Sequence, residues 1–195
     1  MRDIPAMVSR GAVLAALYFA GAAITMLYLQ TPADVTLFWT AAGIGYAIVL
    51  RFGTPYVLSI IAGQALVHLL LAPPVPPLFL PFSIGSNALA TWLAATYVNA
   101  NARQLQLRTS DGFLLLRGAG VLCLVSAAIG SLGMLVAGMI PVADWPRAFL
   151  QWALGDLLGA TATTSSMLLF GGHAGSRPAW PRPWAACANV CYGRC

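Results

Sequence analysis

Apolar residues run almost unbroken through six stretches of the chain, separated by short breaks rich in proline, glycine, arginine or aspartate. Runs of about 17–25 apolar residues match a bilayer hydrocarbon core of roughly 30 Å at 1.5 Å per residue. The pattern therefore predicts six membrane-spanning helices, over residues 11–29, 36–50, 55–72, 78–98, 113–140 and 147–170. Arg51 and Gly53 close the second, and Pro55 falls where a helix start tolerates a missing N–H. The P-P-V-P-P segment at 73–77 cannot continue a helix and makes a stiff connection. Residues 99–111 form a polar loop, with Asp111 placed to cap the fifth helix. The first stretch is longer than the apolar part of a signal peptide and further spans follow it, so it reads as a retained helix.

Polar residues inside these runs are few, and their spacing is helical. Asp156 is the sharpest, because a carboxylate at bilayer depth costs roughly 2.5–3.5 kcal/mol and persists where it faces protein or water. Gln151, Gly155, Gly159 and Thr163 stack on one helical face, with Trp152 and Asp156 on the adjoining row. Gly155 and Gly159, like Gly43 in the second run, let another helix backbone approach closely. Gln64 and His68 share a face of the third helix, and Ser83, Asn87 and Thr91 share one of the fourth. Tyr18, Gly21, Thr25 and Tyr28 make a packing seam on the first, while Ser126, Gly130, Gly133 and Gly138 favour close contact on the fifth.

Composition removes the soluble alternative. The chain has 195 residues, 59% of them hydrophobic and 8% charged, against about a quarter charged in soluble domains. All 10 basic residues are arginine and all 5 acidic ones aspartate. The net charge of +5 does not indicate nucleic acid, because the arginines sit singly at the ends of apolar runs.

Arginine placement also orients the bundle, since cytoplasmic flanks collect basic residues. Arg2, Arg10, Arg51, Arg103, Arg108, Arg117, Arg177, Arg182 and Arg194 fall on one side of the six-span arrangement and Arg147 alone on the other. Both termini are then cytoplasmic, Asp34 and Asp144 lie in outer loops, and Trp39 and Trp145 lie near the outer interface. On this topology Asp156, Gln64 and Asn87 each lie roughly 12 Å below the outer boundary and His68 about half as deep. Unsatisfied polar groups in hydrocarbon cost several kcal/mol, so these four either share an outward cleft walled by Trp39 and Trp152 or bond separately between helices. Asp156 itself is either a ligand- or ion-sensing group or a packing residue whose carboxyl is protonated or paired. Were His68 and Asp156 to meet, their charge would follow external pH.

The remaining chemistry is sparse. His68 and Asp156 supply two strong ligands where zinc needs three or four, so no metal site is expected. Cys123 reads as a small buried apolar residue. Cys187, Cys191 and Cys195 match no zinc spacing, and a cytoplasmic location keeps them reduced. Residues 171–195, rich in Pro, Gly and Arg, build no span and read as an unstructured, truncated or frameshifted tail. No G-x-S-x-G, phosphate loop or H-E-x-x-H occurs, and Gly43-Ile44-Gly45 lies within an apolar helix. The chain is not expected to be an enzyme or to carry a cofactor.

Four stretches, in order, resemble the MASE1 family of bacterial membrane sensor domains. F-W-T-A-A-G-I-G-Y-A-I-V-L-R-F-G, from Phe38 to Gly53, is similar to the family's W-P-x-A-G-I stretch and the basic Gly turn after it. I-A-G-Q-A-L-V-H, ending at His68, resembles its Gly-containing third helix. I-G-S-N-A-L-A-T resembles its G-N-x-L-E-A element, with Asn87 on the family asparagine. W-A-L-G-D-L-L-G resembles its W-x-x-G-D-x-x-G signature, carrying across Gly155, Asp156 and Gly159. Thr40 departs from the family's proline, Thr91 from its common acidic residue, and the six spans from its larger set.

The resemblance, over roughly residues 11–170 of a domain placed at 1–170, implies a signal-input module in a bacterial inner membrane, of the kind placed before diguanylate cyclase, phosphodiesterase or histidine kinase domains. No G-G-D-E-F string or phosphoacceptor segment follows Phe170, so the catalytic output of cyclic di-GMP or kinase signalling would lie elsewhere. The partners expected are the lipid bilayer, a second copy of the chain, a cytoplasmic cyclase or kinase, and a small-molecule or ionic signal. The competing class is a small transporter component that binds its substrate between six helices.

Overall fold

In the computed structural model, residues 4–29, 38–102 and 109–170 are described. They form six α-helices and two short 3-10 turns, with no strand among the described residues. The helices are α1 (Ile4–Tyr28), α2 (Thr40–Phe52), α3 (Val57–Leu70), α4 (Phe79–Asn101), α5 (Thr109–Val136) and α6 (Trp145–Phe170). Two of them, α1 and the Asp111–Val136 part of α5, are long and apolar enough to cross a membrane.

Contacts between named residues give the direction of each helix. Gly63 on α3 packs against Ala15 and Tyr18 on α1, and Gly11 lies nearest Ser59, so α1 and α3 run parallel. Trp39 and Gly43 meet Gly155, Gly159 and Thr163 in the same order, so α2 and α6 also run parallel. Gly118 meets Val98 while Gly133 meets Phe82, which sets α5 antiparallel to α4. One end of the bundle thus gathers the C-termini of α1, α3 and α5 and the N-termini of α2, α4 and α6.

The shortest helix is the innermost. Ten consecutive residues of α2, Ala41 to Leu50, are buried, and α2 packs against α1, α4 and α6. A helix that is apolar on every side is one that neighbours surround. The outer helices turn polar residues inward and apolar ones outward: Thr25, Ser126 and Asp156 are buried, whereas Val13, Leu58, Leu124 and Leu154 are exposed.

Three boundaries differ from the hydrophobic pattern. The second helix starts at Thr40 rather than at residue 36, because Phe38 and Trp39 enter outside any regular element and bond outward. The Trp39 N–H donates to the Gly155 carbonyl at 2.9 Å, and Thr25 Oγ1 donates to the Phe38 carbonyl at 3.1 Å. The fifth helix is already formed at Thr109, where the described residues resume, so Asp111 lies inside the helix instead of capping it. That helix also stops at Val136, short of residue 140, because Gly138 adopts φ +69. The Gly138 N–H donates to Leu135 and the Met139 N–H to Met134, the double bond of a Schellman cap. Gly138 is therefore a terminator and not a packing residue; a β-carbon there would touch nothing within 4 Å. The tail with Cys187, Cys191 and Cys195, together with Asp34, Arg103 and Arg108, lies outside the described residues.

Candidate functional site

At the end where α2, α4 and α6 begin, the helices splay around a cavity of about 310 Å³. Ligand pockets typically start near this size, and most of the wall here is apolar, with a few convergent polar groups. Trp39 comes from the entry to α2, Gln64 and His68 from α3, Asn87 from α4, and Trp152 and Asp156 from α6. All six residues singled out from sequence line this one space.

On one side a hydrogen-bonded series joins α1, α3 and α4. The Tyr18 hydroxyl donates to Gln64 Oε1 at 3.2 Å, and Gln64 Nε2 donates to Ser83 Oγ at 3.4 Å. Ser83 Oγ also pairs with His68 Nε2 at 2.9 Å, while Asn87 Nδ2 donates to the Ser83 carbonyl at 3.0 Å. Gln64 is thus bonded at both ends of its amide, and Asn87 keeps its amide oxygen as an acceptor. The second ring nitrogen of His68, Nδ1, is buried without a partner among the described residues.

On the other side the carboxylate is held between α5 and α6. Ser126 Oγ donates to Asp156 Oδ2, and Trp152, one helical turn earlier on α6, lines the same cavity. Trp152 can lie flat on α5 because Gly130 leaves its ring the room that a side chain would take. Its ring then meets Phe79 edge-on at 6.4 Å, and Phe79 meets His68 edge-on at 6.3 Å. A connected aromatic wall from three helices flanks Asp156.

The glycines that bring α2 and α6 together position this wall from behind. A β-carbon at Gly43 would come within 2.6 Å of Thr163 Cβ, and one at Gly159 would collide with the Trp39 carbonyl. Gly155 gives its carbonyl to the Trp39 N–H. These contacts fix where Trp39 enters the cavity.

His68 and Asp156 face the same space without bonding each other: His68 is paired with Ser83 and Asp156 with Ser126. Cys123 is buried, with its thiol donating to the Gly120 carbonyl of its own helix. No cluster of three or more His, Cys, Asp or Glu side chains occurs among the described residues. Sequence reading did not pick out Ser83, Phe79, Met26, Met134 or Met139 as lining residues, or Ser126 as the bonding partner of Asp156. Serine and methionine are ordinary in apolar runs, and their spacing marks only helix packing.

Comparison with known proteins adds no relative: no family model, curated protein or solved structure matches the chain.

Proposed function

We propose that this chain is a polytopic sensory module of a bacterial inner membrane, with six spanning helices, both termini cytoplasmic and the cavity open to the outer side. The observation that carries the proposal is the convergence of Trp39, Gln64, His68, Asn87, Trp152 and Asp156 on one cavity at one end of the bundle. Buried polar groups inside an apolar exterior are what a bilayer demands, because lipid offers them no partner. The described arginines support the orientation: Arg10, Arg51 and Arg117 lie toward the end opposite the cavity, and Arg147 toward the cavity end. At 13 residues α2 is about 20 Å long, shorter than the bilayer core, but its non-helical entry is bonded to α1 and α6 rather than left in lipid. The resemblance to MASE1 domains supports an input role, with the output on a cyclase or kinase.

A ligand in the cavity touches α3, α4 and α6 at once, so occupancy biases how these helices pack, and α6 carries that bias to Phe170. Fusing the six helices to a reporter cyclase tests this. The fusion is expected to respond to a periplasmic signal and to lose the response in Asp156→Ala, His68→Ala and Asn87→Ala. A response insensitive to all three would remove the cavity from the mechanism. Solute accumulation in proteoliposomes that Asp156→Asn abolishes would replace the sensor with a transporter component.

A further inference from the structure

Asp156 is 2% exposed and contributes a carboxyl to the cavity, yet among the described residues no arginine lines that cavity. Its bonding partner is the Ser126 hydroxyl, a neutral dipole. Dipoles lower the energy of a buried carboxylate but leave its charge unbalanced, and an unbalanced buried charge is costly. The wall beside it is aromatic, running from Trp152 through Phe79 to His68. Ring faces attract cations, tryptophan most strongly. Met26, Met134 and Met139 add polarizable apolar surface to the same lining.

We infer that the cavity takes a small organic monocation, an amine with an apolar or aromatic body whose ammonium group faces Asp156 and whose body lies against the aromatic wall; this rests on the sensor reading above. Size separates this class from a metal ion. The cavity of about 310 Å³ equals the liquid volume of about ten water molecules, so a bare ion would leave most of it unfilled. Charge separates it from an acidic ligand, which would oppose Asp156 and find no arginine among the described lining residues to receive it. The amide oxygen of Asn87, whose Nδ2 is taken by the Ser83 carbonyl, supplies a further acceptor for ammonium hydrogens.

The test is equilibrium binding of labelled 2-phenylethylamine to the full chain in detergent, with 2-phenylethanol and 3-phenylpropionate as competitors of near-equal shape. Saturable binding of the amine is expected, with both competitors weaker by about 10- to 100-fold, the range of one charge-assisted hydrogen bond. Asp156→Asn should weaken the amine by a similar factor and leave 2-phenylethanol unchanged, and Trp152→Phe should cost about 3- to 10-fold. Should Asp156→Asn fail to fold, the preference of the unaltered protein for amine over alcohol decides alone. Equal affinity for amine and alcohol would mean that the carboxyl already holds a proton, and overturns the ligand class while leaving the cavity a receptor. Absence of saturable binding by 2-phenylethylamine, tyramine and tetramethylammonium also overturns it, and the cyclase fusion then judges sensing separately.

Discussion

The α-carbon of Gly159 lies directly beneath the carbonyl of Trp39, so that α6 and the entry to α2 touch backbone to backbone. Neither partner is a flexible side chain, and any added carbon must push the two helices apart. Gly159→Ala is expected to destabilise the bundle by about 1–3 kcal/mol despite the better helix propensity of alanine. Gly120→Ala, where a β-carbon meets nothing within 4 Å, is expected to stabilise it by about 0.5–1 kcal/mol. Thermal unfolding in micelles should show midpoints moving in opposite directions for the two variants.

Ser126 and Asp156 should be energetically coupled, since the serine hydroxyl donates to the carboxylate across the α5–α6 interface. Double-mutant cycles between membrane helices give about 0.6 kcal/mol on average and up to about 1.7. The cycle of Ser126→Ala with Asp156→Asn is expected to fall within that range. A coupling indistinguishable from zero in reversible unfolding would mean the two side chains act independently.

Ser83 and Ser86 are both buried on α4 but do different work. Ser83 receives Gln64 and pairs with His68 across the helix interface, whereas the Ser86 hydroxyl returns to the Ser83 carbonyl of its own helix. Ser83→Ala leaves two buried groups without a partner and should cost about 1–3 kcal/mol, and Ser86→Ala less than about 1. Chemical unfolding of the two variants side by side gives the comparison.

The apolar exterior separates a lipid environment from water. Leu124 on α5 and Leu154 on α6 are 57% and 53% exposed. In water a charge at such positions changes stability by less than about 0.5 kcal/mol. In a bilayer, Leu124→Asp or Leu154→Asp should raise the cost of insertion by roughly 2.5–3.5 kcal/mol. The fraction of chain recovered in the membrane after expression reads this directly.

Side labelling tests the orientation. In the six-span topology, Val142→Cys in the 3-10 turn before α6 should react with an impermeant maleimide on intact cells, whereas Thr54→Cys after α2 should react only once the membrane is opened. The reverse pattern would invert the bundle.

Much of this architecture is legible in the hydrophobic pattern, for identifiable reasons. Long apolar runs and their proline or glycine breaks locate the six helices because both follow from local chemistry. Where the boundaries fail, the cause is a partner distant in sequence: α2 waits until Thr40 because Gly155 and Thr25 already hold the residues before it. Asp156, Gln64, His68 and Asn87 are visible as polar residues in apolar surroundings, and their distances from the helix ends place all four toward the same end, His68 shallower than the other three. Ser126 and Ser83, which hold them, are not, because a hydroxyl on an apolar helix has the same appearance whether it bridges helices or bonds its own backbone. The inner position of α2 is equally hidden, since every run is apolar enough to be either lipid-facing or enclosed.

That enclosure has a physical consequence. In the bilayer proposed above, a rod shielded by protein along ten successive residues would not feel the membrane's thickness, whereas its neighbours would. Changing acyl-chain length would therefore tilt the peripheral helices around a fixed axle, and the aperture between them at the Trp39 end would open or narrow with the lipid.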